Sequence, residues 1–421
     1  MTTPADRSRL ADRSRLRAVV AEYAEIVNSA DMVARRERWR LTNRLLERTV
    51  PFHIEDNGSY FADLTPAPQC EGEFERGLEA YFLRCLTNYR LIPDDRVFPA
   101  SFWVHWAMGR TAVCPELKYH RIPDSTGREL GYETNHPMAD LANSLDKLQP
   151  TEFSVDREGT WRRAEQVEQL FGDLLPVEIV GHSALGAGMS LAGTAVHLMG
   201  MDKFYMNMLD QPENVHAFLT FLADDGDRYL TWLEDEGLIT PNGREVDCGS
   251  GSCVYSDELP RREIPEGEKV LASDIWGFIE AQEAVGISPA MYAEFIHPYQ
   301  RQIGDRYGLI NYGCCEPTHH FWPTLKQFHN LRKLTVSPWC DVQSISDSVG
   351  KDVVLSRKPH PMKLCGPTFD PADFEATIRE ALEITQDNFV ELIFRDTVPL
   401  NGSMQGRLVE ACGIIKRLLG R

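Results

Sequence analysis

The chain has 421 residues, 43% of them hydrophobic, and a formal net charge of −19. That length suits one α/β barrel with an added N-terminal piece. The charge disfavours nucleic-acid backbones and anionic membranes as partners, no apolar run is long enough to span a bilayer, and the first residues lack the apolar core of a signal peptide, so a cytoplasmic location is expected.

The 10 cysteines are scattered over a long chain and read as thiols or ligands rather than a disulfide framework. The hexapeptide ADRSRL occurs twice in succession, at 5–10 and 11–16, too short a repeat for a solenoid and read as a helical or frayed lead-in. Over 16–46 the apolar residues Val19, Val20, Tyr23, Ile26, Val27, Met32 and Trp39 recur at helical spacing, and Arg35, Arg36 and Arg38 make a solvated face. Residues 73–91 also read as helix, so 1–90 is expected to be a helical N-terminal extension or cap and 91–421 the barrel.

A first barrel strand is predicted over 97–104, leading to Trp103, His105 and Trp106, with His105 best read as packed between the tryptophans. Residues 107–175 carry dispersed Pro and Gly and read as loops and short helices. From 177 the rhythm is regular. A short strand is followed by a helix over 202–208 and a long amphipathic helix from Pro212, a residue suited to a first helical turn, to about Glu236. The Gly/Ser/Cys stretch 247–253 lacks the lysine and spacing of a P-loop and reads as a substrate loop. Strands are then predicted over 269–274, 308–315, 333–339, 353–359 and 390–396, with helices over 288–307, 318–328, 342–350 and 371–386 between them. Strands alternating with helices imply right-handed crossovers and a parallel sheet, and the pitch predicts a single closed (β/α)8 TIM barrel.

In such a barrel the reactive groups sit at the C-terminal strand ends. The most distinctive end is Tyr312-Gly-Cys-Cys-Glu316, where two thiols meet a carboxylate. Soft sulfurs beside a hard oxygen suit zinc, although free cysteines are also common as small buried hydrophobes. The other ends supply Asp274 and Trp276, then Trp339 and Cys340, then Arg357, Lys358 and His360, then Arg395 and Asp396. His360 stands between two prolines that fix its backbone. If side chains alternate through the strand end, Tyr312, Cys314 and Glu316 share a face, which favours Cys314 over Cys315 as a ligand unless the chain bends. Glu316 then completes a metal shell, holds a substrate proton, or caps the helix expected from 318.

Several stretches together resemble the uroporphyrinogen decarboxylase superfamily, nearest its corrinoid-dependent methyltransferase branch. They are residues 198–204 with the helix from Pro212, 274–283, 311–317, 330–339 and 356–361, so the resemblance covers roughly 170–421. It implies one barrel, zinc, a corrinoid carried by a separate partner protein, a small-molecule substrate and, since members often dimerise, a homodimer. The branch's methylcobamide:thiol methyltransferases hold zinc through a His-x-Cys motif and a later cysteine. Here Tyr312 stands in place of that histidine, Cys314 keeps the cysteine, and His360 lies near the later position. The resemblance therefore implies a metal set of Cys314, His360 and Cys315 or Glu316, with catalytic roles for Glu316, Tyr312 and Asp274. Trp276, Gln282, Trp339, Arg357 and Asp396 are expected to line the substrate. The arginine stretch of true uroporphyrinogen decarboxylases is missing, which speaks against tetrapyrrole decarboxylation.

The function expected is zinc-dependent methyl transfer between a thiol or methyl ether and the partner's corrinoid. The alternative is a decarboxylase or other lyase of a small carboxylate, with Arg357, Lys358 and Arg395 as cations and Asp274 or Tyr312 as acid. A non-catalytic ligand- or metal-binding protein is a third, weaker reading.

Overall fold

The structure is a computed structural model, and it describes residues 4–55, 64–123, 129, 131–181, 190–244, 248–397 and 405–421. Eight short parallel strands carry the fold: β1 (Phe52–Ile54), β2 (Phe102–His105), β3 (Val177–Val180), β4 (Trp276–Ile279), β5 (Leu309–Tyr312), β6 (Leu331–Val336), β7 (Val354–Arg357) and β8 (Phe389–Phe394). Six of them form one curled parallel sheet in the order β1-β8-β7-β6-β5-β4, and β2 pairs with β3 separately. All four residues of β4 and of β5 are buried, as expected of strands covered on both faces.

The closed ladder expected from the sequence is therefore an open one among the described residues, and side chains serve its two edges. On β1, the amides of Phe52 and Ile54 donate to Asp95 Oδ2 at 3.0 Å and Asp94 Oδ2 at 2.9 Å. On β4, the carboxamide of Asn242 accepts from Trp276 N at 2.9 Å and donates to Trp276 O at 3.1 Å, in place of a neighbouring strand. Just after β3, Gly181 N donates to Thr240 Oγ1 at 2.7 Å. An edge served this way does not offer unpaired groups to another chain.

Three helices precede β2: Pro4–Val27, Ala30–Asn43 and Glu73–Leu91. Between the second and third lies β1, so the N-terminal 90 residues supply a sheet strand as well as helices. Trp39 on the second helix donates its indole N–H to Asp95 O at 2.7 Å, and the Lys333 ammonium sits 5.3 Å from its ring. Asn43, which ends that helix, donates to the carbonyls of Cys253 and Tyr255.

Other boundaries moved for identifiable reasons. The first barrel strand begins at Phe102 rather than 97, after Pro99, which cannot donate to a ladder. Residues 272–274 form a turn, not a strand, because the Asp274 carboxylate folds back to accept from Leu271 N at 2.9 Å. The helix expected over 288–307 is two helices, Pro289–Phe295 and His297–Gly304, divided just before Pro298. Residues 107–156 contain two antiparallel ribbons, Ala107–Arg110 with Phe153–Asp156 and Tyr119–Ile122 with Gly131–Thr134. The strand Tyr119–Ile122 is exposed along its length, so it has no apolar alternation to reveal it. No described helix is long and apolar enough to cross a membrane.

Inside the sheet's curve, Lys333 on β6 and Glu391 on β8 form an ion pair of 2.6 Å with both side chains fully buried. Ser252 Oγ and Cys253 O accept from the same ammonium at 2.9 and 2.6 Å, so its three protons are all placed. Removing one partner leaves a buried charge. Lys333→Met is expected to destabilise the fold by about 3–5 kcal/mol, and the double change Lys333→Met with Glu391→Leu to recover most of that loss, as urea unfolding can measure.

Candidate active site at the carboxyl ends of the strands

The end of β5 is shaped by Gly313, at φ +100°. A Cβ there would lie 3.0 Å from Thr335 Cβ and 3.1 Å from Thr318 Cγ2. A side chain is thus excluded by conformation and by space. The turn breaks the alternation that would have put Tyr312 and Cys314 on one face. Tyr312 is buried, with its hydroxyl 2.6 Å from that of Tyr292 and 3.1 Å from Gln300 Oε1, while Cys314 faces Arg395.

Glu316 is completely buried, and both its oxygens are used. Oε1 accepts from Ala281 N, beyond β4, at 2.8 Å, and Oε2 accepts from Cys314 N at 2.7 Å. Its carbonyl accepts from Ser337 Oγ, beyond β6, at 3.1 Å. One residue therefore fixes three neighbouring strand ends, an arrangement different from the metal ligand, proton carrier or helix cap expected of it.

Cys314 Sγ lies 3.7 Å from Cys315 Sγ and accepts from Arg395 Nη1 at 3.4 Å. The Cys315 thiol, donating to it, lowers the Cys314 pKa to about 6. Burial opposes this, and the Lys358 and Arg395 cations assist. The pKa of Cys315 rises correspondingly, since its proton is held by Cys314. Arg395 is itself held by two bonds to Glu55, at 3.0 and 3.1 Å. Lys358 is buried, donates to Thr335 Oγ1 at 3.0 Å and to Ser250 Oγ, and has no carboxylate within ion-pair distance among the described residues. Burial lowers its pKa to about 8, against the attraction of Cys314.

Ser250 reaches both cations because the loop 248–253 turns sharply: Gly249, Ser250 and Gly251 all have positive φ, and Arg395 Nη1 donates to Ser250 Oγ at 3.3 Å. Asn311 on β5 ties the loop down by donating to Gly249 O at 3.2 Å. Asp247, at the start of that loop, lies outside the described residues.

The end of β4 is Glu280, Ala281 and Gln282. Burial, then the nearby Glu316 and Glu283 carboxylates, raise the Glu280 pKa to about 8, so its carboxyl holds a proton at neutral pH. Burial raises that of Glu283 as well. Sequence reasoning missed both acids because it placed this strand several residues too early. The continuous apolar run from Ile275 to Ile279, ending before Glu280, was the signal available.

The remaining predicted residues scatter. Asp274 precedes β4, at the opposite end of the strand from Glu280, and pairs with Arg262 at 2.8 Å. Trp276 is fully buried within the sheet's curve, 6.0 Å from the Lys333 ammonium. Gln282 bonds Glu283 Oε1 at 3.2 Å. The Arg357 guanidinium turns to the carbonyls of Val336, Ser337 and Lys358 at 3.2, 3.0 and 2.8 Å. Asp396 is exposed, with φ +54°. His360 accepts from Met362 N at 3.2 Å and packs edge-on against the exposed Trp339, 5.4 Å between ring centres.

Zinc does not fit this arrangement. Among the described residues no group of three or more His, Cys, Asp and Glu side chains is placed to hold a metal ion. His360 is engaged at the rim, and the Cys314 sulfur faces Arg395, with the Lys358 charge also bearing on it. Two fixed cations there oppose a dication.

No family model matches the chain, and no curated protein matches it in sequence. Among solved structures, a methyltransferase from Methanosarcina mazei is similar, with a TM-score of 0.50 at 12% identity over 90% of this chain and 98% of that one. At that identity the likeness establishes a common fold.

Alkylation of Cys314 by iodoacetamide should follow a midpoint near pH 6 rather than the ordinary thiol range. Arg395→Met should move that midpoint upward by removing a donor to the thiolate, as peptide mass spectrometry across pH can read.

Proposed function

We propose that the protein is a methyltransferase of the uroporphyrinogen decarboxylase superfamily. In this reading it moves a methyl group between a small molecule of the thiol or methyl ether type and a corrinoid carried by a partner protein. The observation that carries it is the Cys314 thiolate, held by Arg395 at the strand ends of a fold that a solved methyltransferase also has. The partner's corrinoid, when bound, would either donate that methyl group or accept it.

The chain's own residues prepare the small molecule. Cys314 Sγ takes the proton of an incoming thiol, whose sulfur keeps the electron pair and becomes the nucleophile. Lys358, the buried cation without a carboxylate partner among the described residues, faces the negative charge so created. Arg395 and the Cys315 thiol keep Cys314 deprotonated beforehand. Glu316 positions the thiolate through the Cys314 amide. Gln282, Trp339, His360 and Asp396 stand around the mouth in this reading, whereas Tyr312, Trp276, Arg357 and Asp274 support the strands.

One observation favours the lyase alternative. Glu280 keeps its proton to about pH 8, which suits it to protonate a carbanion left by loss of carbon dioxide. The two readings separate by product.

Methyl transfer predicts that the protein, mixed with methylcobalamin and a panel of small thiols, changes the corrinoid absorption spectrum. Cys314→Ser should slow that change about a hundredfold or more. The rate should rise through about pH 6 as Cys314 deprotonates and fall through about pH 8 as Lys358 loses its charge. Release of carbon dioxide from small carboxylic acids, with an unchanged corrinoid spectrum, would instead establish the lyase.

A further inference from the structure

The 10 cysteines are not alike. Cys70, Cys114, Cys248, Cys253, Cys340, Cys365 and Cys412 are buried, and Cys85 is half-buried. Cys315 is the exposed one, and its neighbour Cys314 is half-buried beneath it. Their sulfurs are 3.7 Å apart, and Arg395 donates to Cys314 at 3.4 Å. An accessible sulfur with a cation at hand and a second thiol in contact is the arrangement that oxidants select.

We propose that Cys314 and Cys315 form a reversible dithiol–disulfide couple whose oxidant is hydrogen peroxide. The Cys314 thiolate attacks one peroxide oxygen. A sulfur–oxygen bond forms, the oxygen–oxygen bond breaks, and hydroxide leaves to be protonated to water. Cys314 is then a sulfenic acid. The Cys315 sulfur attacks it, the sulfur–sulfur bond forms, the sulfur–oxygen bond breaks, and the departing hydroxide takes the Cys315 proton as a second water. Two electrons pass from the sulfurs to the peroxide, and a small dithiol returns them by exchange.

Closing the ring turns both sulfurs toward each other and withdraws Cys314 from Arg395. Glu316 Oε2 holds the Cys314 amide, so the movement falls on the side chains and the peptide between them. The disulfide has no free thiolate, and on the reading of Cys314 as the proton acceptor its formation switches the site off. The chemistry itself stands apart from that reading, because it needs neither a corrinoid nor a methyl acceptor.

The reduced full-length protein is treated with hydrogen peroxide, blocked with iodoacetamide and mapped by peptide mass spectrometry. The peptide holding Cys314 and Cys315 should lose two hydrogens, a mass change of about 2 Da reversed by dithiothreitol, while the other thiols remain alkylated. Cys315→Ser should stop at a Cys314 sulfenic acid that dimedone traps. Arg395→Met should slow the oxidation about tenfold without altering the product. The proposal is overturned by oxidation spread evenly over the cysteines, by disulfides between two chains in place of the internal one, or by a Cys315→Ser protein that yields no dimedone adduct. Since Cys315 is exposed, that variant tests chemistry rather than folding. Loss of methyl transfer with an intact peroxide response would count against the functional reading alone.

Discussion

A single carboxylate organises the strand ends. Glu316 is fully buried, and its oxygens accept from the amides of Ala281 and Cys314, on the extensions of two adjacent strands. Its carbonyl takes a third bond from Ser337, just beyond the next strand. A carboxylate buried without such donors would be costly, and charge-assisted bonds to backbone N–H groups are among the stronger hydrogen bonds in proteins. Here they also determine where Cys314 stands. With its amide fixed and Gly313 turning the chain, the Cys314 sulfur is delivered to Arg395 and Cys315 rather than to the tyrosine pair behind the strand.

Two buried lysines, one within the curled sheet and one just beyond its β7 strand, have opposite employments. Lys333 is matched by Glu391 and by carbonyl and hydroxyl acceptors, so its charge is neutralised within the fold. Among the described residues the Lys358 ammonium donates only to hydroxyls, and its pKa is lowered to about 8 by burial. The first is a structural pair. The second keeps a charge available beside Cys314, which is the pattern by which sites hold nucleophiles and receive negative charge. The second N-terminal helix reaches the sheet through Trp39, whose ring meets the Lys333 ammonium, and Asn43, whose carbonyl accepts from Arg332.

Much of the architecture was legible because periodicity reports burial. The long helix from Pro212, the helix opened by Asp370 and Pro371, and the alternation of strands with helices after residue 177 were all readable from local pattern. So was the gathering of Cys314, Cys315, Lys358 and Arg395, since each follows or ends an apolar strand. What local pattern could not supply was pairing across the sheet. Nothing near Glu316 in sequence announces that its partner is Ala281, and nothing near Arg357 shows that its guanidinium is taken by three carbonyls while Lys358 turns inward. Asp274 looked like a strand end because Lys269–Asp274 resembles one in composition. Its own side chain bonds the Leu271 amide and makes the segment a turn. The zinc expected from a family motif likewise depended on His360 reaching the cysteines, whereas its ring packs on Trp339 and accepts from Met362 N.

If the Glu316 carboxylate builds the centre, its replacement must release two backbone groups far apart in sequence. Hydrogen exchange at the Ala281 and Cys314 amides, compared between the wild type and Glu316→Gln, tests this directly. A glutamine offers one acceptor where two are needed. The account predicts that protection falls at both positions and that stability drops by about 1–3 kcal/mol. Unchanged protection at both amides, with unchanged stability, would contradict it.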